Sequence, residues 1–364
     1  MNPPKTIRFE TRTPLWTGGI KPDDDHAIWN LPIRTSGLLG SMRWWLEALL
    51  RGVGARVPEP ERALYDPEKG ESSLDSASLI FGATGYRRRF RLTIADKKTE
   101  NKRLVKVELP SKRYQVFYAD GNPVLENGQP KWTTPSWHFE KTGPIEGTIR
   151  LRITPLHEKC DPALVTDLLT FMSKFGALGA RAQMGFGVVK IIDGESNGDA
   201  LYDLLKRPRE NEPSHGMPAL HQMFFARVSL STGAALTDQE TFLLKCDIRR
   251  LFTDANLRHE IMGWVKPNSD TRSGAKIHMS RPYNGSSALR LWGWIPGEQA
   301  DGRTIDRERA VLQPLYTYLN PSPPNTPGPF KLDSWMEWNS TRDRRPAIES
   351  RLDFFDRLRK ETWQ

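Results

Sequence analysis

The sequence predicts an α+β chain built from two copies of a strand–helix–strand–strand–helix–strand unit. Three observations predict it. Short runs alternate apolar and polar residues, the pattern of half-buried strands. Longer segments repeat apolar residues at three- and four-residue spacing, the pattern of amphipathic helices. The runs recur in the same order in both halves of 364 residues, a length suited to two domains of roughly 150 residues each.

The elements follow in order. Thr6 to Trp16 alternates Ile7, Phe9 and Leu15 against Arg8, Glu10 and Arg12 and reads as a strand. After a loop from Gly18 to Pro32, a helix spans about Ser36 to Arg51, with Leu38, Met42, Trp45, Leu46 and Leu49 on one side. Phe90 to Ile94 and Leu104 to Leu109 alternate again. They predict a hairpin with strands at about 89–95 and 103–109, joined by the basic loop Asp96 to Arg103. Gly147 to Thr154 is the next strand. Asp161 then supplies a helix N-cap, Pro162 the first helical position and Gly176 the stop, bracketing a helix lined by Val165, Leu168, Leu169, Met172 and Phe175. A glycine-rich loop, Gly176 to Gly187, feeds the strand Val188 to Ile192. This order is that of the ferredoxin-like, or RNA-recognition-motif-like, βαββαβ fold. Glu195 to Pro218 is polar and aperiodic and reads as a linker.

The second half repeats the order more faintly. It offers strands at Met223–Leu230, Lys276–Ser280, Ala288–Ile295 and Lys331–Trp338, helices at Gln239–Asp254 and Asp306–Tyr318, and a terminal helix at Ala347–Lys360. The resulting division is 1–195, a linker 196–218, a degenerate second domain 219–340 and a C-terminal helix 341–364.

Composition narrows the function. Fifty-three basic against 44 acidic residues give a net charge of +9, which favours a polyanionic partner. The two cysteines, Cys160 and Cys246, exclude a disulfide scaffold and a zinc finger. His157 and Cys160 have ligand-like spacing without further ligands nearby and read as structural. No run approaches the length of a membrane span, and Met1 to Glu10 has no signal-like apolar core, so a reducing cytoplasm is the expected setting. No cofactor or metal is expected.

The charge is concentrated. Tyr86 to Arg113 holds eleven Lys and Arg against three acids, nearly the whole surplus of the chain, and starts with Arg87, Arg88 and Arg89. This segment reads as a β-hairpin laid on a phosphate backbone, or as a solvated hairpin kept soluble by its lysines. In the glycine loop, Gly176, Gly179, Gly185 and Gly187 let backbone N–H groups approach a phosphate, with Arg181 as a charged donor; the competing reading is a plain helix-to-strand turn. The loop follows a helix and precedes a strand, the reverse of a dinucleotide fingerprint, and no P-loop is present. On the first helix, Ser36, Gly40 and Arg43 share a face, Arg34 precedes it and Trp44 stands at its border, positioned either to stack on a base or to pack under a loop. Arg43 and Glu47 also have the spacing of a helical ion pair.

Three segments carry a family resemblance: RTSGLLGSMRWW from Arg34 to Trp45, IFGATGYRRRFRL from Ile80 to Leu92, and FGALGARAQMGFGVV from Phe175 to Val189. They resemble the signatures of the RAMP superfamily of CRISPR proteins, and the R-x-W-W helix followed by F-G resembles the subunit-one family of type III-B Cmr effector complexes. Arg258 to Gly263, Ser273 to Ile277 and Leu291 to Trp294 extend the resemblance into the second half. It implies tandem RAMP domains within a ribonucleoprotein that carries a CRISPR RNA and binds complementary single-stranded target RNA beside other RAMP subunits. It also implies a place near the 3′ end of the guide and no nuclease role. The RNA-facing residues it implies are Arg34, Ser36, Arg43, Trp44, Lys174, Arg181 and Gln183. Ala177, where a second glycine is common, and the weakly basic Ala182-Gln183-Met184 depart from the pattern. Two alternatives remain: a metal-dependent endoribonuclease using Asp23, Asp24 and Asp25, and a protein-docking module.

Overall fold

The computed structural model describes residues 2–17, 33–59, 63–102, 107–108, 114–115, 122–133, 136–137, 144–207, 216–265, 272–282, 287–297, 302–320, 330–343 and 348–362. The first unit contains β1 (Lys5–Thr11), α1 (Thr35–Gly52), the short α2 (Ser76–Phe81), β2 (Phe90–Asn101), β3 (Ile145–Pro155), α3 (Pro162–Phe175), β4 (Val189–Asp193) and α4 (Asp199–Lys206). The second contains β5 (Met223–Leu230), α5 (Asp238–Leu251), α6 (Ala255–Met262), β6 (Ile277–Met279), β7 (Ala288–Trp294), α7 (Gln313–Leu319) and β8 (Phe330–Glu337), followed by α8 (Arg351–Lys360).

Each unit forms a four-stranded antiparallel sheet. The orders are β4-β1-β3-β2 and β6-β7-β5-β8. Numbered within its unit, each is the same ferredoxin-like arrangement, so the chain is a tandem of two such folds.

Local chemistry explains the ends of the elements. Asp161 accepts a hydrogen bond from the Ala163 amide at 2.8 Å and caps α3 at Pro162. Gly176 stops α3 in an extended conformation, not a left-handed one; a Cβ there would lie 2.5 Å from the Trp45 ring. Thr237 with Glu240, and Ser350 with Asp353, close capping boxes on α5 and α8.

The two units are layered. Ile7, Phe9, Ile149, Leu151 and Ile153 turn one face of the first sheet onto α1 and α3. The second sheet is buried on both faces. Phe224, Ala226, Val228 and Leu291 face α5 and α7, while Met223, Phe225, Trp292 and Met336 join the core of the first unit. Phe175 of α3 meets Phe225 of β5 with ring centroids 4.9 Å apart. Trp292 and Trp335 are therefore core residues.

Three expectations are corrected. The basic loop Asp96 to Arg103 is strand as far as Asn101, because β2 pairs with β3 along its whole length, from Phe90 opposite Pro155 to Asn101 opposite Ile145. The expected partner strand at 103–109 is represented among the described residues by Val107–Glu108, which pairs with Ser136–Trp137. The segment Glu195 to Pro218 is not all linker: Leu201, Leu204 and Leu205 bury one side of α4, and its Leu201 amide donates to Asp167 of α3 at 2.9 Å. Among the described residues, no helix is long and apolar enough to cross a membrane.

Candidate nucleic-acid interface

The three signature segments pack against one another. Arg43 of α1 donates through Nε to Glu47 at 2.8 Å, through one terminal nitrogen to the Gly82 carbonyl at 2.7 Å, and through the other to the Ser78 hydroxyl at 3.2 Å. The R-x-W-W helix is thereby fastened to the Phe81-Gly82 turn. Ser41 accepts from the Gly179 amide at 3.0 Å, and Trp45 lies directly under Gly176, which fastens the same helix to the glycine loop. Arg43, expected to face RNA, holds three acceptors within the protein and clamps the helix to that turn.

The glycine loop is corrected in the same way. Gly179, Gly185 and Gly187 have φ of +77°, +85° and +83°, a backbone region closed to most side chains. Added Cβ atoms would lie 2.4 Å from the Trp16 carbonyl, 2.5 Å from the Arg281 amide and 1.9 Å from the Leu178 carbonyl. The glycines make room for protein, not phosphate. The amides of Gly176, Leu178, Gly179, Ala180, Gly185 and Gly187 all donate within the chain, so they are not available as a phosphate cradle.

The loop instead joins the two units. Gly185 accepts from the Arg281 amide at 3.1 Å, and Gln183 accepts through its carbonyl from Lys245 of α5 at 2.9 Å. Burial pushes the Lys245 ammonium down to about 8. Arg290 of β7, 5% exposed, donates to the carbonyls of Gly176 and Ser173, each at 2.9 Å. A buried guanidinium thus caps the C-terminus of α3, where carbonyls lack helical partners and the helix dipole favours a cation. Sequence reasoning missed Arg290; its signal was an arginine inside the apolar run ALRLWGW.

Other predicted residues divide into two groups. Arg89 is buried, paired with Glu71 at 2.5 Å, and near the Tyr86 hydroxyl at 3.3 Å. The Tyr86 hydroxyl, Lys159 and Arg89 together hold the Glu71 carboxyl well below the usual range, at about 2. Lys174 donates to the Arg359 carbonyl of α8 at 3.2 Å and is largely covered. Both make ties within the protein. Trp44 packs edge-on against Trp45 at 5.2 Å and is half-buried. Second-half cations are also tied internally: Arg249 donates to the Gly263 carbonyl, and Lys276 pairs with Glu260 at 2.7 Å.

What remains on the surface is more compact. Ser36 and Gly40 are exposed on the first turns of α1, and a Cβ at Gly40 would meet nothing within 4 Å. Arg34 stands just before them, its amide bonded to the Thr17 hydroxyl at 3.1 Å. Arg181, at φ +62°, lays its guanidinium over the adjacent Trp16 ring at 4.1 Å. Neither arginine has a carboxylate partner among the described residues. The half-buried Gln183 lies on the same loop as Arg181. Arg87 is exposed and Arg88 half-buried beyond α2. Asp23, Asp24 and Asp25 lie outside the described residues. Among the described residues, no three His, Cys, Asp or Glu side chains are grouped to hold a metal ion. Burial raises the Cys160 thiol to about 11.

The family model described as the RAMP superfamily matches residues 8–190 of the chain. No curated protein matches. Similar solved structures include a chain of the type III-B Cmr-beta complex bound to cognate target RNA, at 14% identity and a TM-score of 0.41, covering 85% of this chain and 98% of that one. A second Cmr-beta structure, with target RNA, AMPPnP and single-stranded DNA present, has 12% identity, a TM-score of 0.41 and the same coverage. Cmr1 from Pyrococcus furiosus, in its apo form, has 15% identity and a TM-score of 0.37, with 81% of this chain and 89% of that chain covered.

Proposed function

This chain belongs to the RAMP superfamily, and from that premise we propose that it is a non-catalytic, RNA-binding subunit of a type III-B CRISPR effector ribonucleoprotein. In this reading it acts in the cytoplasm beside other RAMP subunits, near the 3′ end of the CRISPR RNA, and aids capture of complementary target RNA. Residues 1–195 and 219–340 act as its two domains.

The observation that carries the reading is the surface at the start of α1. Arg34 precedes Ser36 and the side-chain-free Gly40 on α1, and Arg181 stands on the loop that Gly179 fastens to Ser41 of the same helix, on segments whose motifs resemble the type III-B subunit-one family. Guanidinium groups suit phosphate oxygens, and a glycine lets a sugar–phosphate chain lie close to the helix. Gln183 on the same loop, Trp44 on the same helix, and Arg87 and Arg88 beyond α2 extend the candidate surface. Sequence reading is left to base pairing, as in another RNA-guided effector.

The test is binding of labelled single-stranded RNA across a salt series by the full chain and by Arg34→Glu and Arg181→Glu. Salt-sensitive binding weakened at least tenfold by either reversal, with the RNA left intact in Mg²⁺, supports the reading. Metal-dependent fragments that disappear in Asp23→Ala, Asp24→Ala or Asp25→Ala overturn the non-catalytic part.

A further inference from the structure

The two sheets differ in one respect. Both faces of the second are buried, whereas the first has one face that no element covers among the described residues. Strand alternation places Arg8, Arg150, Arg152 and Arg91 on that open face, with Lys190 and Lys98 at its margins. Its acids are Glu10, Asp96 and Asp193, with Glu100 and Glu146 opposite each other at the far end of the β2–β3 ladder.

The register sets an unusual juxtaposition. Arg8 of β1 stands directly opposite Arg150 of β3, and Arg152 lies between Thr6 and Thr93. Like charges facing each other across a ladder are destabilising. Asp193 is opposite Arg8 and Asp96 opposite Arg150 on the outer sides, yet neither carboxylate forms an ion pair with either arginine. The side chains of Arg8, Arg91, Arg150 and Arg152 make no hydrogen bond or ion pair among the described residues, and the Nε of Arg150 is buried without an acceptor. The buried Arg290 and Arg342, by contrast, donate to acceptors within the chain. A set of guanidiniums assembled against their own repulsion and left without acceptors fits an anion supplied from outside.

We propose that the open face of the first sheet is a phosphate track for single-stranded RNA, separate from the surface at the start of α1. The proposal rests on the RNA-binding reading above. Arg150 and Arg152 stand two residues apart on β3 and Arg8 lies across the ladder from Arg150, a cluster able to contact neighbouring phosphates. The face carries Thr and Arg but no aromatic ring, so bases have nothing to stack on and the contact is independent of sequence.

The experiment uses the full chain, a labelled oligouridine probe and a salt series. The triple variant Arg8→Gln, Arg150→Gln, Arg152→Gln is compared with wild type. Three phosphate contacts on a single strand account for about 2 in the slope of log affinity against log salt, or about a hundredfold in affinity near 0.1 M salt. Losses of that size, with an unchanged or higher Tm because the Arg8–Arg150 repulsion is gone, support the proposal. A triple variant with wild-type affinity and slope overturns it, while loss in Arg34→Glu alone leaves the general RNA-binding reading standing. A wild-type chain that binds no oligouridine overturns it too, and the subunit reading is then judged by co-purification with guide RNA. A variant that keeps RNA affinity but drops out of the assembled complex overturns it in favour of an acidic protein partner.

Discussion

Arg290→Met tests the joint between the two units. The side chain is buried and bridges from β7 to the last carbonyls of α3, at Gly176 and Ser173. Methionine keeps much of the volume and removes both donors. Each hydrogen bond from a charged group contributes about 1.5–3 kcal/mol, and a buried carbonyl left without a donor costs about 1–3 kcal/mol. Water reaching one of the two carbonyls reduces the sum, so a net loss of about 3 kcal/mol is expected. For a domain of ordinary size that lowers Tm by roughly 6–12 °C. The assay is scanning calorimetry of the full chain with Arg309→Met as a surface control. Because the site is buried, the loss should be nearly independent of ionic strength. A Tm within about 2 °C of wild type would refute the claim that Arg290 and the glycine loop hold the units together.

Further predictions follow from the same geometry. Gly187→Ala places a Cβ 1.9 Å from the Leu178 carbonyl at φ +83°, so it should reduce soluble yield and stability by at least the roughly 1–2 kcal/mol of left-handed strain alone, read by chemical denaturation. Arg43→Lys loses the fork that reaches Glu47, Ser78 and Gly82; it should lower Tm while leaving the salt slope of RNA binding unchanged, whereas an altered slope would make Arg43 an RNA contact after all. Glu71 is held at about 2 against an ordinary value of 4.5. Its stabilisation is therefore fully present above about pH 5 and lost as pH falls through 4.5 toward 2. The Tm gap between wild type and Glu71→Gln should accordingly close over that window in a pH series.

Much of the fold was legible in the sequence because each signal was local. The α3 cap at Asp161-Pro162, the amphipathic stripe of α1 and the alternation of Met223 to Leu230 were each written within one element, and the observed bounds differ by a few residues at most. What was hidden was long-range. The alternation of Leu104 to Leu109 signals a strand but not its partner, and β2 pairs instead with β3 across more than forty intervening residues. The same gap separates the candidate surface from its sequence signals. Glycines, arginines and tryptophans look alike whether they meet phosphate or protein. Only packing shows that Gly185 makes room for Arg281 and that Arg43 and Lys174 hold carbonyls of the same chain. The open sheet face was obscured for the opposite reason: Arg8 is far in sequence from Arg150 and Arg152, each is ordinary in isolation, and they become a cluster only through the register.

The most direct test of the account is mapping of ultraviolet crosslinks between RNA and this chain within the assembled ribonucleoprotein. The account predicts adducts on peptides that carry Trp16–Thr17 and Arg34–Gly40, together with guide RNA recovered in the complex. Guide RNA recovered with no adduct on this chain, or adducts confined to the second unit, would contradict it.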